Sequence, residues 1–244
     1  MRTPTLALLI LIAAPLAFAG NPDATAPTAD QVVAQMIQRN LQRQALMNGY
    51  RGMRLYILEN NGLHKHAEML VRTTCNPDGS KHFDILSEKG WKAANTHVFR
   101  KMLESEEKLS HSSEKKTTQL TESNYQFQMF GTEDFNGRQT YVLQVVPKRS
   151  DRYLFKGRIW VDASDFAVVK VEGEPAKRPS FWVRKTEFTQ TYAKQGGFWF
   201  ATRTQSVNHV LFFGDTEVTI LYFDYEPASI DPQAAQVSEQ VALP

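Results

Sequence analysis

LFKGRIWVDASDFAVVKVEGE, residues 154–174, is the stretch that decides the fold class. Two runs rich in Val, Ile, Phe and Trp flank the turn formers Asp162-Ala163-Ser164-Asp165. β-Branched and aromatic residues favour strands, whereas Asp and Ser favour turns because they bond their own backbone. The stretch therefore predicts a β-hairpin. Both faces of its second strand carry apolar side chains, so each face needs a cover or a ligand.

The same pattern of strands and turns recurs along the chain. Turn formers such as Asn60-Asn61-Gly62 and Asn136-Gly137 separate runs in which apolar and polar residues alternate or β-branched residues are frequent. About ten strands joined mostly by tight turns predict one antiparallel sheet, and a sheet of that size curls, splits or closes. The strands predicted outside the opening hairpin are 50–58, 63–74, 82–86, 125–129, 139–146, 182–192, 198–208 and 216–225.

Two helices are predicted. Thr28 with Gln31 forms a capping box, and the apolar spacing that follows predicts a helix over 29–47. A second apolar stripe predicts a helix over 95–110, inserted after the third strand. Two interpretations of this second helix stay open, a surface helix packed by one face and a movable cover. The two stripes are Val33, Met36, Ile37 and Leu41, and Val98, Phe99, Met102, Leu103 and Leu109.

The N-terminus indicates export. Arg2, the apolar core Leu6–Leu16 and Ala17-Phe18-Ala19 match the three parts of a signal peptide. We therefore expect a signal peptide over 1–19 and a periplasmic mature protein. The rest is expected to be a mobile leader over 20–27, one domain over 28–226 and a loosely attached tail over 227–244.

Composition narrows the function classes. A net charge of +2 with interspersed signs leaves no electrostatic footprint for nucleic acid. Cys75 is the single cysteine of the sequence, so no intramolecular disulfide can form. It closes a strand-like run, which favours burial over reactivity. The expected oligomeric state is a monomer.

Three blocks of the sequence carry a family resemblance. The first block, Tyr141 to Asp162, contains a predicted strand that ends in Trp-Val-Asp. The second, Phe166 to Glu172, is a predicted strand that contains Val-x-Lys-Val. The third, Tyr50 to Glu59, is a predicted strand followed by a turn with Gly. Over about 28–225 the chain resembles the LolA-like superfamily. That superfamily includes the periplasmic lipoprotein carriers and the N-terminal domain of the RseB-type stress regulators. The Arg-Pro pair of the carriers has no match near Arg72, so no role is transferred to that residue.

The resemblance implies a fold and a function. The implied fold is mainly β (α+β), a single strongly curved antiparallel sheet, or half-open β-barrel, with helices over its concave face. The implied function is a periplasmic carrier or binding protein that shields lipid or lipoprotein acyl chains in an apolar cavity. An RseB-like module that senses envelope stress and binds an envelope membrane protein is the alternative. The residues expected to bind lipid in the cavity or lid are Phe99, Met102, Leu103, Phe127, Trp160, Trp182 and Trp199.

Trp160 is open to two interpretations. By strict alternation it lies on the less apolar face of its strand, with Lys156, Arg158 and Asp162. It either lines the rim of a groove or packs under a loop.

Signals for catalysis are weaker. His64 and His66 would point to one face of a strand beside His82, which makes a three-histidine metal site and a metal-dependent hydrolase conceivable. Solvent-facing polar residues are the simpler interpretation. Asp162 and Asp165 form a carboxylate pair that turn capping explains. With no nucleophile elbow and no phosphate-binding loop, we expect a protein that is not an enzyme and has no metal or cofactor.

Overall fold

The computed structural model describes residues 26–177, 183–210 and 214–228. The predicted signal peptide, most of the leader, Trp182 and most of the tail lie outside these residues. The strands are β1 Tyr50–Asn60, β2 Lys65–Cys75, β3 Lys81–Gly90, β4 Tyr125–Phe135, β5 Arg138–Pro147, β6 Phe155–Asp162, β7 Val168–Pro175, β8 Val183–Gln195, β9 Phe198–Val210 and β10 Gly214–Pro227.

These ten strands form one antiparallel sheet in the order β3-β2-β1-β10-β9-β8-β7-β6-β5-β4. Adjacent strands of the sheet are consecutive in sequence except β1 and β10, which pair with Tyr50 opposite Pro227. Strands β3 and β4 are the two edges, so the described sheet is open. The predicted fold class is confirmed.

The helices follow the predicted positions. Helix α1 spans Ala29–Leu46 and begins with the predicted capping box of Thr28 and Gln31. The second helical segment consists of a short turn α2, Lys92–Ala94, a π-helical turn Asn95–Phe99 and helix α3, Arg100–His111. A 3₁₀ segment, Ser113–Thr118, follows. In the part of the chain that the structure describes, no helix is long and apolar enough to cross a membrane.

Both helices cover the same face of the sheet. Val218 packs beneath α3, and the register places it opposite Ser206. Ser206 in turn lies opposite Phe188, which packs against the residues beneath α1. Directly paired residues of antiparallel strands share a face, so the covers lie side by side.

Each helix has its own apolar core. An amphipathic helix in a protein is stabilised mainly by packing its apolar face against another element, here the sheet. We call the two cores the α1 cluster and the α3 cluster. The α1 cluster is Val32, Val33, Met36, Tyr125, Leu143, Val145, Leu154, Ile159, Val161 and Val171. The α3 cluster is Tyr56, Leu58, Ala67, Met69, Val71, Ala94, Phe99, Leu103, Val218 and Ile220.

The hairpin of β6 and β7 forms as predicted. The side chain of Asp162 caps the turn, its Oδ1 accepting from the backbone N–H of Ser164 at 3.0 Å and of Asp165 at 2.7 Å. Gly157 and Gly173 face each other across the strands. A β-carbon on Gly157 would lie 1.9 Å from the backbone oxygen of Glu172, so the close approach requires glycine there.

Candidate functional site: a cavity beneath helix α1

A cavity of about 400 Å³ lies beneath the C-terminal half of α1. Its other walls are the segment 118–121, the start of β7 and the ends of β8 and β9 that adjoin their connecting turn. The apolar and aromatic lining residues are Met36, Ile37, Leu41, Met47, Leu120, Ala167, Val168, Tyr192, Phe198 and Trp199. The remaining lining residues are Asn40, Arg43, Gln44, Thr118, Gln119 and Thr121.

The helical period of α1 explains the position of the cavity. Val32, Val33 and Met36 in the first half of the helix are buried in the α1 cluster. In the second half, Leu41 keeps 59% of its surface exposed while it lines the cavity. The first half of α1 is therefore packed on the sheet, and the second half covers a space that side chains do not fill.

Arg43 is the one charged residue among the described residues of this lining. Its Nη1 donates to the backbone carbonyl of Asp165 at 2.9 Å, and its Nη2 donates to that of Phe166 at 3.4 Å. Phe166 has a φ of 50°, in the left-handed region, so the turn that presents these carbonyls is strained. Burial lowers the pKa of Arg43, but a guanidinium remains protonated at any physiological pH.

The carboxylate of Asp165 has other partners. It accepts from Lys194 Nζ at 2.7 Å and from Trp199 Nε1 at 3.2 Å. Arg138 lies 3.8 Å away and also pairs with Asp162 at 2.5 Å. The hydrogen bond from Lys194 is the largest of the effects that lower the pKa of Asp165. These contacts fix the turn beside the cavity.

A second cavity, of about 330 Å³, lies between the end of α1 and α3. It shares Gln44 and Met47 with the first cavity. Lys81 and Glu106 line its wall. Glu106 joins α3 to the sheet, because its carboxylate accepts from Arg54 at 2.8 and 3.1 Å and from Lys81 at 2.7 Å.

This ion cluster changes how its members titrate. Burial alone would raise the pKa of Glu106, but the charges of Lys81 and Arg54 outweigh it and lower that pKa to about 2. Burial opposes the charged forms of Arg54 and Lys81, yet Glu106 raises the pKa of both. The cluster is therefore fully charged at neutral pH and fastens α3 to β1 and β3.

The structure places the predicted lipid-binding residues in different environments. Trp199 lines the cavity and also packs against the cluster of Val142, Trp160 and Val169. Phe99 and Leu103 lie in the α3 cluster, at 0% and 4% exposure, and Phe127 packs against the α1 cluster. Met102 is exposed on α3. Trp182 lies outside the described residues. Of the six that are described, one therefore reaches the cavity beneath α1.

Trp160 lies on the opposite face of the sheet. It is 3% exposed and packs with Val142 and Val169. Its Nε1 donates to Glu133 at 2.7 Å, and Lys170 Nζ lies 4.3 Å from its ring. These contacts are with strand residues of the sheet, which matches neither the rim of a groove nor packing under a loop.

The histidines have carboxylate partners. His66 contacts Glu59 at 2.5 Å, and His82 contacts Glu107 at 3.0 Å. The expectation that His64 and His66 lie on one strand is wrong, because His64 falls in the turn before β2, with a φ of 49°. Among the described residues, no group of His, Cys, Asp and Glu has the arrangement of a metal site.

The sequence did contain one signal for the cavity. The stripe of α1 predicted the helix, and Met36, Ile37 and Leu41 of that stripe line the cavity. What the stripe does not reveal is that its later members cover a space. Cys75, expected to be buried, is partly exposed at the second cavity.

Comparisons with known proteins come from family models and solved structures. A family model described as "Uncharacterized protein" matches residues 112–229. No curated protein matches the chain. The chain is similar to a LolA superfamily protein from Nitrosomonas europaea, with 11% identity, a TM-score of 0.46, and coverage of 85% of this chain and 97% of that one.

Two further solved structures bear on the predicted resemblance. One is a putative outer membrane lipoprotein-sorting protein domain from Vibrio parahaemolyticus, with 14% identity, a TM-score of 0.44, and coverage of 87% of this chain and 98% of that one. The other is the MucA/MucB complex of Pseudomonas aeruginosa, with 12% identity, a TM-score of 0.28, and coverage of 81% and 99%.

Proposed function

We propose that this chain is a periplasmic binding protein that shields an acyl chain of a lipid or lipoprotein in the cavity beneath α1. The observation that carries the proposal is the cavity itself, walled by ten apolar or aromatic residues. Its volume of about 400 Å³ is within the usual range for small-molecule sites. The lipoprotein-sorting pattern of residues 141–172 supports the same function.

The chemistry of the lining favours binding over catalysis. Among the described residues that line the cavity, none is a carboxylate, histidine or cysteine. General acid–base or nucleophilic chemistry depends on such groups, which need to lie within hydrogen-bond reach of the substrate. An apolar wall instead offers hydrophobic transfer energy, and the proposed protein is a carrier rather than an enzyme.

The available energy is sufficient for a carrier. Burying a methylene group contributes about 0.8 kcal/mol, so an acyl chain of about fifteen carbons offers on the order of 10 kcal/mol. The part of the chain that remains outside the cavity contributes less. The exposed second half of α1 gives the ligand a route of entry that leaves the α1 cluster packed.

A binding titration with matched variants tests the proposal. Asn40 lines the cavity on α1, and Gln38 is exposed on the same helix outside the lining. We expect a fluorescent fatty acid to bind the wild-type protein, Asn40→Trp to weaken binding about tenfold or more by filling the cavity, and Gln38→Trp to leave it unchanged. Equal affinity of the two variants, or no binding to the wild type, would contradict the proposal.

An RseB-like sensor is the second candidate function. A pull-down and a lipid extraction distinguish it from a carrier. A sensor would retain a specific envelope membrane protein in a pull-down with its cavity filled by Asn40→Trp. A carrier would release bound lipid into an organic extract of the protein purified from an envelope fraction. We expect the second result.

A further inference from the structure

We propose that Arg43 binds the anionic head of the ligand, so that the cavity beneath α1 selects amphiphiles with a carboxylate or phosphate head over neutral acyl lipids. The inference rests on the proposed acyl binding and adds the chemical class of the ligand. It derives from the placement of one positive charge in a lining whose other described residues are uncharged.

The charges around Arg43 leave its own charge in excess. Two carboxylates, Asp162 and Asp165, lie on the turn that Arg43 contacts. Arg138 pairs with Asp162, and Lys194 pairs with Asp165. Two negative charges are thus balanced by two positive ones before Arg43 is counted. The carboxylate of Asp165 still attracts Arg43, and Arg39, one helical turn earlier, repels it.

Arg43 also has unused donors. A guanidinium carries five N–H groups in a planar fork. Within the described residues, two of these bond to backbone carbonyls, and no carboxylate oxygen lies within 4.0 Å. Carbonyls accept hydrogen bonds but supply no net negative charge. An anionic head that enters the cavity therefore meets a part-buried cation with donors to spare, the arrangement that favours bidentate binding of carboxylate or phosphate.

The lining places the cation and the apolar surface together. Arg43 lies between Asn40 and Gln44 on the helix face that carries Ile37 and Met47. Its guanidinium reaches the turn that leads into Ala167 and Val168, which are also part of the lining. An amphiphile with its head at Arg43 therefore has apolar wall on the helix side and on the sheet side.

The test compares three ligands with the same acyl chain. Palmitate carries a carboxylate, palmitoyl lysophosphatidate carries a phosphate, and monopalmitoylglycerol is neutral. Each displaces a fluorescent acyl probe at concentrations below micelle formation. We expect at least one anionic ligand to bind the wild-type protein about tenfold or more tightly than the neutral one, the range for a charge-assisted hydrogen bond. The better anionic ligand then identifies the head group.

Variants on α1 assign the preference to one residue. Arg43→Gln should abolish it, and Arg43→Lys should retain part of it. Arg39→Gln is the matched control, because Arg39 is exposed on the same helix and lies outside the lining. It should leave the preference within about twofold, as expected for an exposed charge at this distance. A preference that persists in Arg43→Gln, or that Arg39→Gln abolishes equally, overturns the inference.

The outcomes separate this inference from the proposed function. Equal binding of all three ligands by the wild type overturns the role of Arg43 and leaves acyl binding intact, whether or not Arg43→Gln folds. Failure of all three to bind overturns acyl binding itself. Thermal unfolding of each variant shows whether its binding is measured on folded protein.

Discussion

Helices α1 and α3 are attached to the sheet by different interactions. The π-helical turn inserts Phe99 into the α3 cluster and α3 inserts Leu103. Helix α3 adds Glu106, which bonds to Arg54 and Lys81 of the sheet. Helix α1 inserts three apolar residues from its first half, and its second half covers a cavity. The helix predicted to be a possible lid is therefore the fastened one. The second half of the N-terminal helix is the segment that covers a cavity.

Replacement of a leucine on each helix is expected to give the largest difference in stability between the two regions. Leu103→Ala on α3 removes a side chain that is 4% exposed and should cost about 2–4 kcal/mol of unfolding free energy. Leu41→Ala on α1 removes one that is 59% exposed and should cost less than about 0.5 kcal/mol. Urea denaturation measures both. A similar loss for the two variants would show that α1 is packed along its whole length.

Removal of one carboxylate tests the ion cluster. Glu106→Gln leaves Arg54, with a side chain 7% exposed, without its charged partner. Because Glu106 itself is 34% exposed, we expect a loss of about 2 kcal/mol, below the range for a fully buried pair. Glu104→Gln on the same helix breaks only an exposed pair with Lys101 and should cost less than about 0.5 kcal/mol. Equal losses of stability in the two variants would contradict the attachment of α3 to the sheet by the Glu106 ion cluster.

The pH dependence of stability sharpens the same point. The pKa of Glu106 is lowered to about 2 from its ordinary value of 4.5, so folding favours its ionised form. Its contribution is therefore complete above about pH 4.5 and is lost as the pH falls towards 2. The stability difference between wild type and Glu106→Gln should shrink over this window. A difference that stays constant over this range would show that ionisation of Glu106 does not stabilise the folded protein.

The capping box of α1 gives the smallest expected effect. Thr28 accepts from the backbone N–H of Gln31, and the Gln31 side chain accepts from the backbone N–H of Thr28. Thr28→Ala should cost about 1 kcal/mol, whereas Thr28→Ser keeps the hydroxyl and should cost little. Thermal unfolding of the pair measures this. An equal loss in both variants would assign the effect to packing rather than to capping.

Local sequence signals predicted most of the fold. The capping box located the start of α1, and turn formers such as Asn136-Gly137 located the hairpins. The pairing of β1 with β10 has no local signal, because it joins strands at opposite ends of the chain. Its register follows only when the whole sheet is assembled.

The site was less predictable for the same reason. The cavity arises from the placement of α1 over β7 to β9, which no single stretch of sequence encodes. Arg54, Lys81 and Glu106 come from three separate segments, so their ion cluster is invisible to spacing rules. The position of Trp160 on the less apolar face of its strand makes it a candidate for the rim of a groove, and the structure packs it against Val142 on the face away from the cavity.

Hydrogen exchange with and without palmitate tests the central claim most directly. The account predicts that saturating palmitate slows amide exchange in residues 36–47 of α1 and its C-terminal flank and leaves residues 100–111 of α3 unchanged, because the ligand lies beneath the first helix. Slower exchange confined to α3, or no change in either helix at saturation, would contradict it.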